Sequence, residues 1–135
     1  MASRGLRNNN PLNIRTGDNW QGLADEQTDP SFCVFSSPEY GLRAAAKLLL
    51  NYQSRYGCWS IQAIVNRWAP ESENDTAAYV ASVAKGCGVN KDELYDLSHM
   101  ENMAKILRAM TIHENGSCPY DNVMLENGAS MAGVR

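Results

Sequence analysis

What most constrains this chain is the spacing of its apolar residues from Pro38 onward, which keeps to the three- and four-residue steps of an α-helix. Ser37, Pro38 and Glu39 suit the N-cap, the first helical position and the first turn. Leu42, Ala45, Ala46, Leu49 and Leu50 then form a stripe that Tyr52 extends toward Tyr56, and Gly57 closes it, so a helix is expected over Pro38–Arg55. Ser60 opens a second over Ser60–Trp68 on Ile61, Ile64 and Val65, stopped by Pro70. Asn74 or Asp75 caps a third over Thr76–Lys85, carrying Tyr79, Val80 and Val83 and ended by Gly86 and Gly88. Asn90 opens a short helical turn through Leu94 and Tyr95. Ser98 with Glu101 reads as a capping box for Glu101–Ile112, which breaks at Asn115-Gly116. A last helix runs from Asp121 through Val123, Met124 and Met131.

Residues 4–35 are different in kind. Arg4 to Arg15 reads Arg-Gly-Leu-Arg-Asn-Asn-Asn-Pro-Leu-Asn-Ile-Arg, with Asn19-Trp20-Gln21-Gly22 close behind. Asparagine and proline disfavour helix interiors and central strands, so no core element is expected there. The segment offers a loop dense in amide donors and acceptors beside an aromatic face, an inventory suited to a polar ligand with flat faces such as a sugar. Arg15 to Phe35 lacks helical periodicity, which leaves room for a short β-ribbon. The expectation is a mainly α single domain over residues 1–135 with a small irregular or β-hairpin region near the N-terminus.

Composition narrows the function classes. With 44% hydrophobic and 20% charged residues, the chain is of ordinary globular type. A net charge of −3 argues against nucleic acid as a partner, since phosphate contacts need a clustered basic face. No apolar run approaches the roughly 20 residues of a membrane span, and Met1-Ala2-Ser3-Arg4 does not read as a signal peptide. The cysteines Cys33, Cys58, Cys87 and Cys118 are scattered, without metal-site spacing, and are expected as free thiols. His99 and His113 are too few for a His-rich metal site, and no glycine-rich phosphate loop is present, so no metal or cofactor is expected. A Cys–His amidase would need Cys58 or Cys118 in a nucleophile context that neither has.

In the order of its parts the chain resembles the lysozyme-like peptidoglycan hydrolases. Asn10-Pro11-Leu12-Asn13-Ile14-Arg15, then Trp20-Gln21-Gly22, then Phe32 and Phe35 ahead of Ser36-Ser37-Pro38-Glu39, are similar to the substrate-cleft segment of bacterial glucosaminidases. Trp68-Ala69-Pro70, then Glu73-Asn74-Asp75-Thr76 with Tyr79, and His113-Glu114-Asn115-Gly116 with Pro119-Tyr120, extend the likeness to small lysozyme-like proteins of bacteriophage particles. The resemblance implies a lysozyme-like fold and cleavage of peptidoglycan glycan strands by a lysozyme or lytic transglycosylase route. It implies a phage- or prophage-encoded protein, held in a virion or in the host cytoplasm before release and acting on the cell wall in the periplasm. Glycan strands and other virion proteins are the partners it implies.

Glycosidic cleavage needs at least one carboxylic acid beside an apolar wall, and a lytic transglycosylase needs only one because the sugar's own hydroxyl attacks. In the resembled enzymes the catalytic Glu ends a helix upstream of the Asn-Pro-like segment, yet no acidic residue precedes Asn10 here. Glu114 ends an apolar helix at the other end of the chain, and a circular permutation would bring it opposite the Asn8–Arg15 loop. The plain alternative is a solvated Glu beside a helix C-cap. Glu73 or Asp75 would assist and Tyr79 would orient. Asn10, Asn13, Arg15, Trp20 and Tyr120 would hold the glycan. Trp68, on the face of Ile61, Ile64 and Val65, is expected to be mostly buried; Trp20 is expected to stay partly exposed in the cleft. Glu71, Glu73 and Asp75 read equally well as solvated or capping residues. A helix-end partner of the dipole is the reading for His113. The rival to catalysis is a non-catalytic virion structural or wall-binding protein on the same scaffold, or an inhibitor carried by a mobile element.

Overall fold

The computed structural model describes residues 2–72 and 74–135. Six helices stand among them: α1 (Arg4–Arg7), α2 (Pro38–Tyr56), α3 (Ile61–Trp68), α4 (Thr76–Cys87), α5 (Met100–Asn115) and α6 (Asn122–Met131). The architecture is mainly α.

The helix boundaries follow from local chemistry. The side chains of Ser60, Asp75 and Asp121 accept the backbone N–H of Ala63, Ala78 and Met124 in the first turns of α3, α4 and α6, each such cap contributing ~1 kcal/mol. Ser37 precedes Pro38 but makes no side-chain cap bond. Gly57, Gly88 and Gly116 end α2, α4 and α5 in the left-handed conformation.

Two expectations fail here. The capping box at Ser98 does not form. Ser98 instead donates its hydroxyl to Asp96 Oδ1 at 2.7 Å, and α5 starts one residue later behind His99, which makes no side-chain cap bond. Asn90 opens a turn rather than a helix, its Oδ1 accepting the N–H of Asp92 at 2.9 Å.

The helices enclose one apolar cluster. Leu42 and Leu49 of α2, Ile61 and Ile64 of α3, Val83 of α4, Ile106, Leu107 and Met110 of α5 and Leu125 of α6 are all fully buried in it. Each such side chain contributes ~1.5–3 kcal/mol through removal of apolar surface from water. α2 packs on α6, α5 lies against both α4 and α6, and α3 rests on α4.

The N-terminal segment corrects the sequence reading most. It contributes to the core, because Leu12, Ile14, Cys33 and Phe35 are buried. Asn10 is fully buried too. Its Nδ2 donates to the carbonyls of Ile14 and Cys33, both at 2.9 Å, and its Oδ1 accepts the N–H of Ile14 at 2.9 Å. An asparagine can therefore satisfy, from within, backbone groups that a sheet would otherwise pair. Among the described residues the β-ribbon is reduced to two isolated antiparallel bridges, Arg15 with Phe32 and Leu23 with Phe35. Cys33, Cys58, Cys87 and Cys118 are free thiols. Among the described residues no helix is long and apolar enough to cross a membrane.

Candidate functional site

The last turn of α5 meets the N-terminal loop. Asn115 holds the two together: its Nδ2 donates to Pro11 O at 2.7 Å and its Oδ1 accepts the Ser3 hydroxyl at 2.6 Å. The preceding residue, Glu114, consequently faces the loop. Asn13 has a positive φ of 55°, a conformation asparagine tolerates better than most residues, and that backbone turns its amide toward α5. Asn13 Nδ2 donates to Glu114 Oε1 at 3.0 Å, while Tyr79 of α4 donates its hydroxyl to Glu114 Oε2 at 2.8 Å. Both carboxylate oxygens are thus held by side chains from different parts of the chain. Burial first, then the Glu114 charge, pushes the Tyr79 phenol far above its ordinary value, so it remains a protonated donor.

Glu114 stands between two openings. One is a cavity of about 470 Å³ walled by Leu12, Asn13, Arg15, Phe32, Trp68 and Ala69, and reaching Asn74 and Glu114. The other, of about 250 Å³, has Asn74, Asp75, Tyr79 and His113 around the same carboxylate. His113 lies flat on Tyr79, with ring centroids 3.8 Å apart and 25° between planes. The arrangement offers the Glu114 carboxyl group at the rim of a polar-lined cavity, beside amide groups and an indole.

Asp29 buttresses this cavity, and sequence reasoning missed it. Arg4 Nε and Nη2 donate to its two oxygens, both at 2.6 Å; Asn8 Nδ2 donates at 2.9 Å, and the N–H groups of Ser31 and Phe32 at 2.9 and 3.0 Å. The Arg4 hydrogen bonds are the main reason the Asp29 carboxyl sits far below the usual range. Phe32 is gripped on its faces by Arg4 and Arg15, whose guanidinium carbons lie 4.6 and 5.2 Å from the ring centroid. The one sequence signal was Asp29-Pro30-Ser31, an arrangement in which the acid caps the turn that follows it.

Glu114, Asn13, Arg15, Asp75 and Tyr79, named from the sequence, meet around the two openings. Asp75 also caps α4 through Ala78 N–H. Others stand elsewhere. Asn10 supports the loop from below, with no surface to offer a ligand. Tyr120 is buried outside the cavity wall. Trp20 is half-buried against the core, its Nε1 sealed from solvent without an acceptor among the described residues. The cavity indole is instead Trp68, packed against the core as expected and partly exposed at the cavity wall, its ring 6.0 Å from that of Tyr52. Helical periodicity put Trp68 on the core face of α3, but its place in the last turn leaves one side of the ring open. Glu73 lies outside the described residues.

No family model matches the chain. Over 132 residues it is 42% identical to "Protein P5" of Pseudoalteromonas phage PM2, an alignment that spans 94% of this chain and 80% of the phage protein. At that identity and coverage the chain belongs to the family of this phage protein.

Proposed function

We propose that the protein cleaves the glycan strands of peptidoglycan, on a lysozyme-like scaffold whose order of parts is permuted, with Glu114 as its acid. The supporting observation is the Glu114 carboxyl, fixed by Asn13 and Tyr79 at the rim of a cavity lined by Asn13, Arg15 and Trp68. Membership in a phage protein family supports a phage-borne setting for the activity, with the cell wall as target and other virion proteins as neighbours.

Asp75 is engaged in capping α4, and the route taken here is the one that needs a single carboxyl group. Protonated Glu114 donates to the glycosidic oxygen as the bond to the anomeric carbon breaks, and the leaving sugar departs with its hydroxyl. A hydroxyl of the retained sugar then attacks that carbon and returns its proton to the Glu114 carboxylate. Asn13 and Tyr79 keep the carboxyl in place through both steps, and Trp68 offers a face on which a sugar ring can lie.

The test is Glu114→Gln. The amide is isosteric; it can accept from Asn13 and donate to the Tyr79 hydroxyl, so folding is preserved. Release of soluble fragments from purified sacculi should fall by about 100-fold or more, the scale of general acid catalysis. Fragment masses one water lighter than hydrolytic products would identify the single-acid route. Wild-type protein that binds sacculi without solubilising them would replace this reading with the wall-binding one, and a fully active Glu114→Gln variant would remove Glu114 as the acid.

A further inference from the structure

The cavity beside Glu114 does not stop at Trp68. A further opening of about 210 Å³ is walled by Leu12, Asn13, Arg15 and Trp68, all shared with the first, and continues to Ile14, Leu48 and Tyr52. Beyond Tyr52 the row goes on. Tyr52 and Tyr56 sit four residues apart on α2, hence on one face. Arg67 of α3 extends over both rings, with its guanidinium carbon 3.4 Å from the Tyr56 centroid and 5.4 Å from that of Tyr52. Tyr56 is 51% exposed, and Arg67 is exposed as well. The guanidinium over a solvent-facing ring is a cation–π contact made at the surface, where burial does not force the two side chains together. Stacking does pre-order the guanidinium, leaving its N–H edge for an anion at small entropic cost.

We propose that Trp68, Tyr52, Tyr56 and Arg67 form an extended subsite, continuous with the Glu114 cavity, that binds peptidoglycan strands carrying stem-peptide carboxylates in preference to uncharged amino-sugar polymers. This rests on the glycan-cleaving reading and adds to it which part of the strand, the stem-peptide carboxylates, is recognised. Trp68 receives a sugar ring, and the Arg67 guanidinium, which makes no hydrogen bond or ion pair among the described residues, takes a carboxylate through its N–H edge, a pairing suited to its fork of donors. Arg15, on the wall common to both cavities, adds a second positive charge. The groove can therefore attract an anionic polymer although the chain as a whole carries a net charge of −3.

Binding separates this from the chemistry. In the Glu114→Gln protein, which holds strands uncut, affinity is measured for uncross-linked peptide-bearing glycan strands and for N-acetylglucosamine oligomers. Arg67→Gln and Tyr56→Ala are added singly. Both positions are exposed, so matched circular dichroism and Tm are expected. Each should weaken binding to peptide-bearing strands by about tenfold, which corresponds to ~1.4 kcal/mol, with Arg67→Gln leaving the uncharged oligomers unaffected. Added salt should erode only the peptide-bearing preference. Equal affinity of the variants and the Glu114→Gln parent for peptide-bearing strands would overturn the subsite and leave the role of Glu114 standing. A parent that binds neither polymer would overturn both.

Discussion

At the residue scale, the site depends on side chains spending their polar groups on one another. Asn13 gives its Nδ2 to Glu114, while its Oδ1 is sealed from solvent without a donor among the described residues. Leaving a buried acceptor unpaired costs ~1–3 kcal/mol, so the Asn13 amide is held by its backbone and neighbours rather than by its own best hydrogen bonding. Tyr79 is the cleaner probe. Its ring is buried and its hydroxyl donates to Glu114 Oε2, so Tyr79→Phe keeps the packing and frees one oxygen of the carboxyl. Stability should change by ~1 kcal/mol or less. If Glu114 is the acid proposed above, the rate constant for strand cleavage should fall by roughly tenfold with KM unchanged, because a loosened acid loses orientation and not substrate contacts. Steady-state kinetics beside a thermal melt check this, and an unchanged kcat would show that Asn13 alone positions Glu114.

At the element scale, close approach of helices is decided by glycines whose role periodicity does not reveal. A Cβ on Gly128 of α6 would stand 2.5 Å from Leu42 Cβ and 3.2 Å from Glu39 O, both on α2. Gly41 of α2 faces the Asn9 carbonyl in the same manner, which seats the N-terminal loop on the helix. Gly128→Ala would gain ~1 kcal/mol of helix propensity yet push α6 off α2, and overpacking of this kind costs ~1–3 kcal/mol. A net fall in Tm of roughly 5 °C is expected; a rise would mean that α2 and α6 separate freely. The long helices were legible because stripe, cap and stop residues agreed at Pro38–Tyr56, Ile61–Trp68 and Thr76–Cys87. Ser98 misled because Asp96, two residues earlier, competes for its hydroxyl, and a local motif carries no information about such a rival. The four-residue α1 escaped notice because it is too short for periodicity, and Ser3 caps it through Leu6 N–H.

At the scale of the whole molecule, what sequence could not reveal is what joins distant segments. Asn8, Asn10 and Asp29 are polar residues of a loop by composition, yet their side chains bind backbone and side chains up to 25 positions away and make the loop part of the core. That Glu114 faces the loop follows from tertiary ties through Asn115; only the context of a helix-ending acid was visible in the sequence. The same folding buries phenols and thiols, which sets the alkaline limit of the protein. Burial, the largest cause in each case, raises the thiols of Cys33 and Cys87 and the phenols of Tyr79 and Tyr95, and pushes Tyr120 up to about 12. In the unfolded chain thiols release their protons near pH ~8.5 and phenols near ~10. Above those values the unfolded state holds fewer protons than the folded one, so stability must fall as pH rises, whereas below them these groups are protonated in both states and the slope vanishes. For Tyr120 the loss spans pH 10 to 12, at up to ~1.4 kcal/mol per pH unit. Urea midpoints should therefore be flat from pH 7 to 8, decline past 8.5 and drop more steeply past 10. Tyr120→Phe should lower the steepness of the last stage while keeping stability at pH 7 within ~1 kcal/mol, since the ring stays and only a hydroxyl is lost. A midpoint that holds level between pH 8 and pH 11 would show that these groups ionise as readily in the folded protein as in the unfolded chain, and that the core is open to water around them.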